Sequence, residues 1–114
     1  MKLKLLSLAM AAALLAACSG PKIPTKIAIA GAKLLPGGGK PVIEFSIILI
    51  ENGMIVEAGP QASVRMPKDY KIISGLGHQI EPLPGGILEQ GQPANLVMRG
   101  APRTRTMRQG VWED

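Results

Sequence analysis

The sequence contains few of the side chains that build metal centres, disulfides and aromatic cores. Its 114 residues include one Cys, one His, one Trp, one Tyr and one Phe. One Cys excludes an internal disulfide, a four-cysteine zinc site and an iron–sulfur cluster, because each needs at least two thiols from one chain. One His excludes a metal site built from several histidines of this chain. The length fits one domain at most, and its core must come from Ile, Leu, Val and Met.

The amino-terminal segment differs in composition from the rest of the chain. Lys2 and Lys4 precede an apolar run over residues 5–15 that is interrupted only by Ser7. A basic start followed by an apolar run of this length is typical of a secretory signal peptide. The run is shorter than the roughly 20 residues that a transmembrane helix needs. We therefore predict a helical signal peptide over residues 1–17.

The end of this segment resembles a bacterial lipobox. Ala16 and Ala17 are small enough for the signal peptidase, and Cys18 follows them. The resemblance implies that the Cys18 thiol receives a diacylglycerol, that cleavage falls between Ala17 and Cys18, and that fatty acyl chains such as palmitate anchor the protein to a membrane. Because Ser19 rather than Asp follows the Cys, the usual sorting rule predicts the outer membrane, facing the periplasm of the cell envelope.

The mature chain begins with a tether and is only mildly basic. We assign residues 18–25 to the lipidated Cys and a short tether, since Gly20, Pro21 and Pro24 leave no periodic apolar pattern. Removing 17 residues from 114 leaves 97, with 11 basic against 8 acidic groups, a net charge of about +3. This balance does not indicate nucleic-acid binding, so we expect no nucleic-acid partner.

The domain over residues 26–114 is predicted to be all-β. No segment of ten or more residues after the signal has helical periodicity, and short apolar stretches alternate with Gly and Pro. Asn52-Gly53 predicts a type I′ hairpin, and Gly59-Pro60 is expected to end its second strand. We predict six to eight short strands, over residues 26–34, 42–51, 54–58, 71–74, 79–81 and 94–99, and in a hairpin over 104–113 that turns at Gln109-Gly110.

Several segments resemble, in order, the small domain of the amidohydrolase superfamily. Residues 29–60 combine a Gly-containing strand, a long apolar strand, an Asn-Gly hairpin and a Gly-Pro stop, and residues 71–85 end in Pro-Gly. Residues 86–98 resemble the segment that leaves the family's barrel, with Asn95 in place of the usual Asp, and residues 107–112 resemble its closing hairpin. The resemblance implies a composite β-sandwich. The catalytic barrel, which needs on the order of 250 residues, is absent.

The same resemblance bears on activity. In the family, a His-x-His pair that follows the first Pro-Gly begins the metal site of the barrel, whereas His78 precedes Pro84-Gly85 and has no second His. We therefore expect His78 to be a solvent-exposed turn residue, and we predict no catalytic residue, metal site or cofactor. Glu51 and Glu57 face each other across the predicted hairpin, and we interpret them as solvated strand-end charges rather than an acid/base pair.

Two functions remain open at this point. The first is a non-catalytic, membrane-anchored envelope lipoprotein with a structural or protein-interaction role. The alternative is a remnant or accessory subunit of an amidohydrolase-type enzyme that acts on C–N bonds other than peptide bonds, with the barrel supplied by another chain. A barrel-free sandwich should retain an apolar face, which we assign to Ile48 and Ile50 and expect to be covered by self-association or by an envelope protein.

The one cluster of charge lies near the carboxyl terminus, and two interpretations fit it. Guanidinium groups can bind the phosphates of lipopolysaccharide or anionic lipid, or they can protect an exposed edge strand from aggregation, which we favour. The spacing predicts that Arg103 and Arg105 point to the same side of a strand, and Trp112 is expected to anchor the core or the hairpin. The members of this cluster are Arg99, Arg103, Arg105 and Arg108.

Overall fold

The computed structural model of the protein describes residues 25–113, which form nine strands and no helix. The predicted signal peptide, the Ala17-Cys18 cleavage site and the lipidation site at Cys18 lie outside the described residues. The strands are β1 (Lys26–Ala30), β2 (Lys33–Leu34), β3 (Ser46–Glu51), β4 (Met54–Pro60), β5 (Lys71–Ser74), β6 (Gln79–Pro82), β7 (Leu96–Arg99), β8 (Arg105–Arg108) and β9 (Val111–Trp112). The all-β prediction is confirmed.

The strands form two sheets around a shared hydrophobic core. The first sheet has the order β4-β3-β1-β5, and the second has the order β2-β6-β7-β8-β9. The pairs β1–β5 and β2–β6 are parallel, and the other neighbours are antiparallel. Fully buried side chains from both sheets meet between them, as in a β-sandwich. They include Ile29, Ile48, Ile50 and Ile55 from the first sheet and Ile80, Leu96 and Met107 from the second.

The ninth strand arises because the first predicted strand is divided between the sheets. Gly31, with a φ of 95°, separates β1 from β2. β1 pairs with β3 in the first sheet, whereas Leu34 in β2 bridges to Ile43 and β2 pairs with β6 in the second. Glycine adopts a positive φ more readily than any other residue, because it has no Cβ atom. The chain therefore uses Gly31 to pass from one layer of the sandwich to the other.

The predicted Asn-Gly hairpin is confirmed, with different strand ends. Asn52 and Gly53 have φ values of 51° and 81°, as a type I′ turn requires. β3 begins only at Ser46, so residues 42–45 of the long predicted strand lie outside it. β4 continues through Pro60 rather than stopping before it. Pro60 is accommodated because β4 is an edge strand, where a missing amide donor is tolerated.

The prediction that Ile48 and Ile50 form an uncovered face is wrong. Both side chains are fully buried in the core between the sheets. Ile47 and Leu49, on the opposite face of β3, are also buried, in a second cluster closed by Val64 and by other residues of the 61–70 loop. β3 is apolar on both faces because both are covered, as in a central strand of a layered fold.

Candidate functional site

Three of the six large apolar side chains that are exposed in the described residues lie at one end of the sandwich, which we call the Phe45 end. Phe45 directly precedes β3 and is 61% exposed, and Leu76 follows β5 and is 65% exposed. β1, β3 and β5 are paired in register, so the start of β3 and the end of β5 lie at the same end of the sheet. Val42, 48% exposed, lies beside Phe45 in the same surface. Large apolar groups exposed together often mark an interaction site.

Phe45 stands between two hollows in this surface. The first hollow, of about 460 Å³, lies between Phe45 and Leu76, and the second, of about 510 Å³, lies between Phe45 and Pro60. Both hollows share Glu44 and Phe45, so the Phe45 ring forms a ridge between them. The first hollow is lined by Gly31, Lys33, Glu44, Phe45, Leu76, Gly77, His78, Gln79, Arg99 and Gly100.

Glycine keeps the first hollow open. Gly100 has a φ of 144°, and a Cβ atom built there would lie 2.8 Å from Cδ2 of His78. A larger residue at position 100 would therefore collide with the imidazole that forms part of the wall. His78 Nδ1 lies 3.2 Å from the Leu76 carbonyl oxygen, and the side chain is half-buried rather than solvent-exposed as predicted. The reason is that Gly100 lets β7 and the 76–78 turn approach closely.

The arginines predicted as a cluster lie on or beside β7 and β8. Arg99 ends β7 and Arg105, which is paired with Met98, begins β8, so these two lie at the same end of neighbouring strands, and Arg108 lies at the other end of β8. Arg99 lines the first hollow and donates a hydrogen bond from Nε to Glu81 Oε1 at 2.5 Å. Arg108 Nε donates to Glu113 Oε2 at 3.1 Å. Arg103 lies outside the strands because β8 begins at Arg105. The prediction that Arg103 and Arg105 point to the same side of one strand is therefore wrong. Binding of an anionic surface by the arginines stays a prediction.

Trp112 is an anchor of the closing hairpin, as predicted. Its half-buried ring packs against the core, and the Arg105 guanidinium carbon lies 4.2 Å from the ring centroid. A cation at this distance from an indole face gives a favourable cation–π contact. The turn at Gln109-Gly110 is also confirmed, with φ values of 48° and 81°.

Glu51 and Glu57 do not form a pair. The two-residue turn at Asn52-Gly53 sets Met54 opposite Glu51, and farther along the hairpin Leu49 is opposite Glu57. The Tyr70 hydroxyl instead donates a hydrogen bond to Glu51 Oε2 at 2.5 Å. An acid/base role for the two carboxylates has no geometric basis here. In residues 25–113, no group of three or more His, Cys, Asp and Glu residues is placed to hold a metal ion.

The contact between Tyr70 and Glu51 gives a pH-dependent prediction. Burial of the phenol is the largest cause that raises the pKa of Tyr70 to about 12, and its hydrogen bond to Glu51 is the next largest. Since the folded pKa is raised above the ordinary value of 10.0, the stabilisation is complete below pH 10 and is lost as the pH rises towards 12. Tyr70 is the only Tyr in the chain, so its tyrosinate absorbance can be titrated without interference.

We expect a titration midpoint near 12 in the folded protein, and Glu51→Gln should lower it. Glu57→Gln, on the same hairpin but opposite Leu49, should leave the midpoint unchanged. A midpoint at the ordinary value in the folded wild-type protein would contradict the contact.

Comparisons with known proteins give a partial structural likeness. No protein-family model and no curated protein matches this sequence. Among solved structures, a chain of molinate hydrolase, characterised structurally and catalytically, is similar to this protein with 26% sequence identity and a TM-score of 0.47. The match covers 54% of this chain and 13% of that chain, so it spans a small part of the hydrolase. In the part of this chain that the structure describes, no helix is both long and apolar enough to cross a membrane.

Proposed function

We propose that the protein is a membrane-anchored envelope lipoprotein whose β-sandwich has a non-catalytic, structural or protein-interaction role. The observation that carries the proposal is that Thr25, the first described residue, lies at the end of the sandwich opposite to Phe45. Thr25, where the tether joins, accepts a hydrogen bond from the Asn52 N–H at 2.8 Å, beyond the last residue of β3. Phe45 precedes the first residue of the same strand.

The dimensions of the chain bound how far the sandwich can lie from the membrane. The six residues of β3 separate the two ends by roughly 20 Å at about 3.4 Å per residue. A tether from Cys18 to Thr25 spans at most about 25 Å when fully extended. A lipid on Cys18 would therefore hold the Asn52-Gly53 end within about 25 Å of the membrane surface, and the attachment leaves the Phe45 end free for a protein partner.

We further propose that the sandwich corresponds to the composite small domain of the amidohydrolase superfamily without its barrel. In support, the segment that resembles the approach to the barrel forms β6, and the segment that resembles the exit from it forms β7. These two strands are antiparallel neighbours, and the 83–95 connection lies where the family inserts its barrel. Leu88 in this connection is buried and its N–H donates to the Pro36 carbonyl, so the junction is closed by the chain itself.

Metabolic labelling tests the lipid anchor. We expect the full-length protein, expressed in a diderm bacterium with an alkyne analogue of palmitate, to carry the label and to sediment with membranes. Cys18→Ser should abolish both labelling and membrane association, because the thiol that accepts the diacylglycerol is removed. Ser19→Asp is the matched control, since it should keep the label and move the protein to the inner membrane.

Two outcomes would count against this proposed function. An unlabelled wild-type protein would refute lipidation at Cys18. A stable complex with a separately encoded barrel protein, formed on co-expression and active on a C–N bond, would favour the accessory-subunit alternative.

A further inference from the structure

We infer that the Phe45 end is a self-association surface, through which two copies pair about a two-fold axis with each Phe45 ring seated in the first hollow of the other copy. The inference depends on the proposed interaction role of the sandwich, but it does not depend on the lipid anchor. It identifies a second copy of this chain as the occupant of the surface, and both the shape and the charge of the surface support that choice.

The shape is self-complementary. A two-fold interface uses the same patch on both subunits, so a protrusion and a recess must lie side by side on one surface. The Phe45 ring protrudes with 61% of its surface exposed, directly next to a hollow whose lining includes Gly31, Gly77 and Gly100. The hollow has room for an aromatic ring, and Leu76 supplies an apolar wall for it. Buried aromatic side chains are frequent anchors of protein interfaces.

The charges around the hollow are also self-complementary. Lys33 and Glu44 are both exposed and both line the first hollow. They lie across from each other on the same side of the antiparallel Leu34–Ile43 bridge, so each copy presents a positive and a negative group side by side. Within the described residues, neither side chain takes part in an ion pair. In a two-fold pair, the Lys33 ammonium of one copy can face the Glu44 carboxylate of the other, twice in each dimer. Opposite charges placed in this way favour the correct pairing and its register.

The apolar surface at this end is small, so we expect weak association. Interfaces below the standard size are typically transient, and we expect a dissociation constant on the order of 10 to 100 µM. At a membrane, two-dimensional confinement would raise the local concentration of the domain above its value in solution.

Sedimentation velocity on residues 19–114, which contain the complete described sandwich, tests the inference. The wild-type domain is expected to shift from monomer to dimer as its concentration rises from about 5 to about 500 µM. Phe45→Ser should weaken dimerisation at least about 30-fold, because it removes the aromatic anchor. Val111→Ser is the matched control, since Val111 is 49% exposed but lies on β9, outside the hollow, and the variant should dimerise like wild type.

Exchanging the charges at positions 33 and 44 tests whether these two residues pair across the dimer. Lys33→Glu alone should weaken the dimer about 10-fold, because two like-charged contacts replace two attractive ones. The double variant Lys33→Glu with Glu44→Lys should recover most of the wild-type affinity, since the pairing is restored with the signs reversed. Circular dichroism would confirm that each variant is folded.

Three results would overturn the inference. They are a wild-type domain that stays monomeric over the whole range, equal losses of affinity in Phe45→Ser and Val111→Ser, and failure of the double variant to recover. A monomeric domain whose full-length form still carries lipid on Cys18 would refute self-association while leaving the envelope anchor intact.

Discussion

Gly53→Ala is expected to lower the free energy of unfolding by about 3 kcal/mol, a large part of the stability of a domain of this size. Two effects combine at this position. Gly53 has a φ of 81°, where a side chain adds about 1 kcal/mol of backbone strain. A Cβ atom there would also lie 2.5 Å from the Gln109 carbonyl oxygen and 3.0 Å from its carbon. These are backbone atoms of a second tight turn, which cannot move away without disturbing that turn.

The matched control for Gly53→Ala is Gly77→Ala. Gly77 has nearly the same φ, 80°, but a Cβ atom there meets nothing within 4 Å. It should therefore cost only the backbone strain, about 1 kcal/mol. Urea unfolding followed by the fluorescence of Trp112, the only Trp in the chain, measures both variants. Equal losses for the two variants would show that the turns can separate without cost and that their contact contributes nothing to stability.

This contact shows where sequence reasoning ends. The dipeptides Asn52-Gly53 and Gln109-Gly110 are sufficient to predict two turns, because positive φ is a local demand that the sequence displays. That the two turns pack against each other is a long-range fact: a Cβ atom on Gly110 would lie 2.7 Å from Gly53 Cα. An alternation of apolar and polar residues indicates that a segment is a strand, but it does not indicate which other strand pairs with it.

The candidate surface was less predictable than the strands. Phe45 continues the alternation of residues 42–51, so the pattern assigned it to a strand face, but β3 begins one residue later. The first hollow is built from residues between Gly31 and Gly100, which only the sheet topology brings together. Gly31, Gly77 and Gly100 all line this hollow, but nothing in their local sequence distinguishes them from ordinary turn glycines.

The division of the 26–34 segment has the same origin. The alternation of apolar residues over 26–34 predicts one strand. Gly31 allows the chain to pass from the first sheet to the second, so β1 pairs with β5 whereas β2 pairs with β6. A glycine within a strand pattern indicates such a bend only when the partner strands are known. β3 is apolar on both faces, but one face is covered by the second sheet and the other by the 61–70 loop, so its pattern does not indicate an exposed surface.

The burial of β3 leads to the second large expected effect. Ile50→Ala should lower the free energy of unfolding by about 3 to 4 kcal/mol, because it removes buried methyl and methylene groups and leaves a cavity between the sheets. Ile50 is fully buried, and its cross-strand partners are Ile27 in β1 and Ile55 in β4, both also buried. Three packed Ile side chains leave little freedom for the site to collapse around the smaller residue.

Ile72→Ala makes the same chemical change on a strand of the same sheet. Ile72 lies on the edge strand β5 and is 60% exposed, so its loss should cost under about 1 kcal/mol. If Ile48 and Ile50 instead faced outward, as the resemblance to a family with a barrel predicts, the two variants would lose similar amounts of stability in urea unfolding. A difference of about 2 kcal/mol or more places Ile50 in the core between the two sheets, so that neither face of β3 is available to a partner.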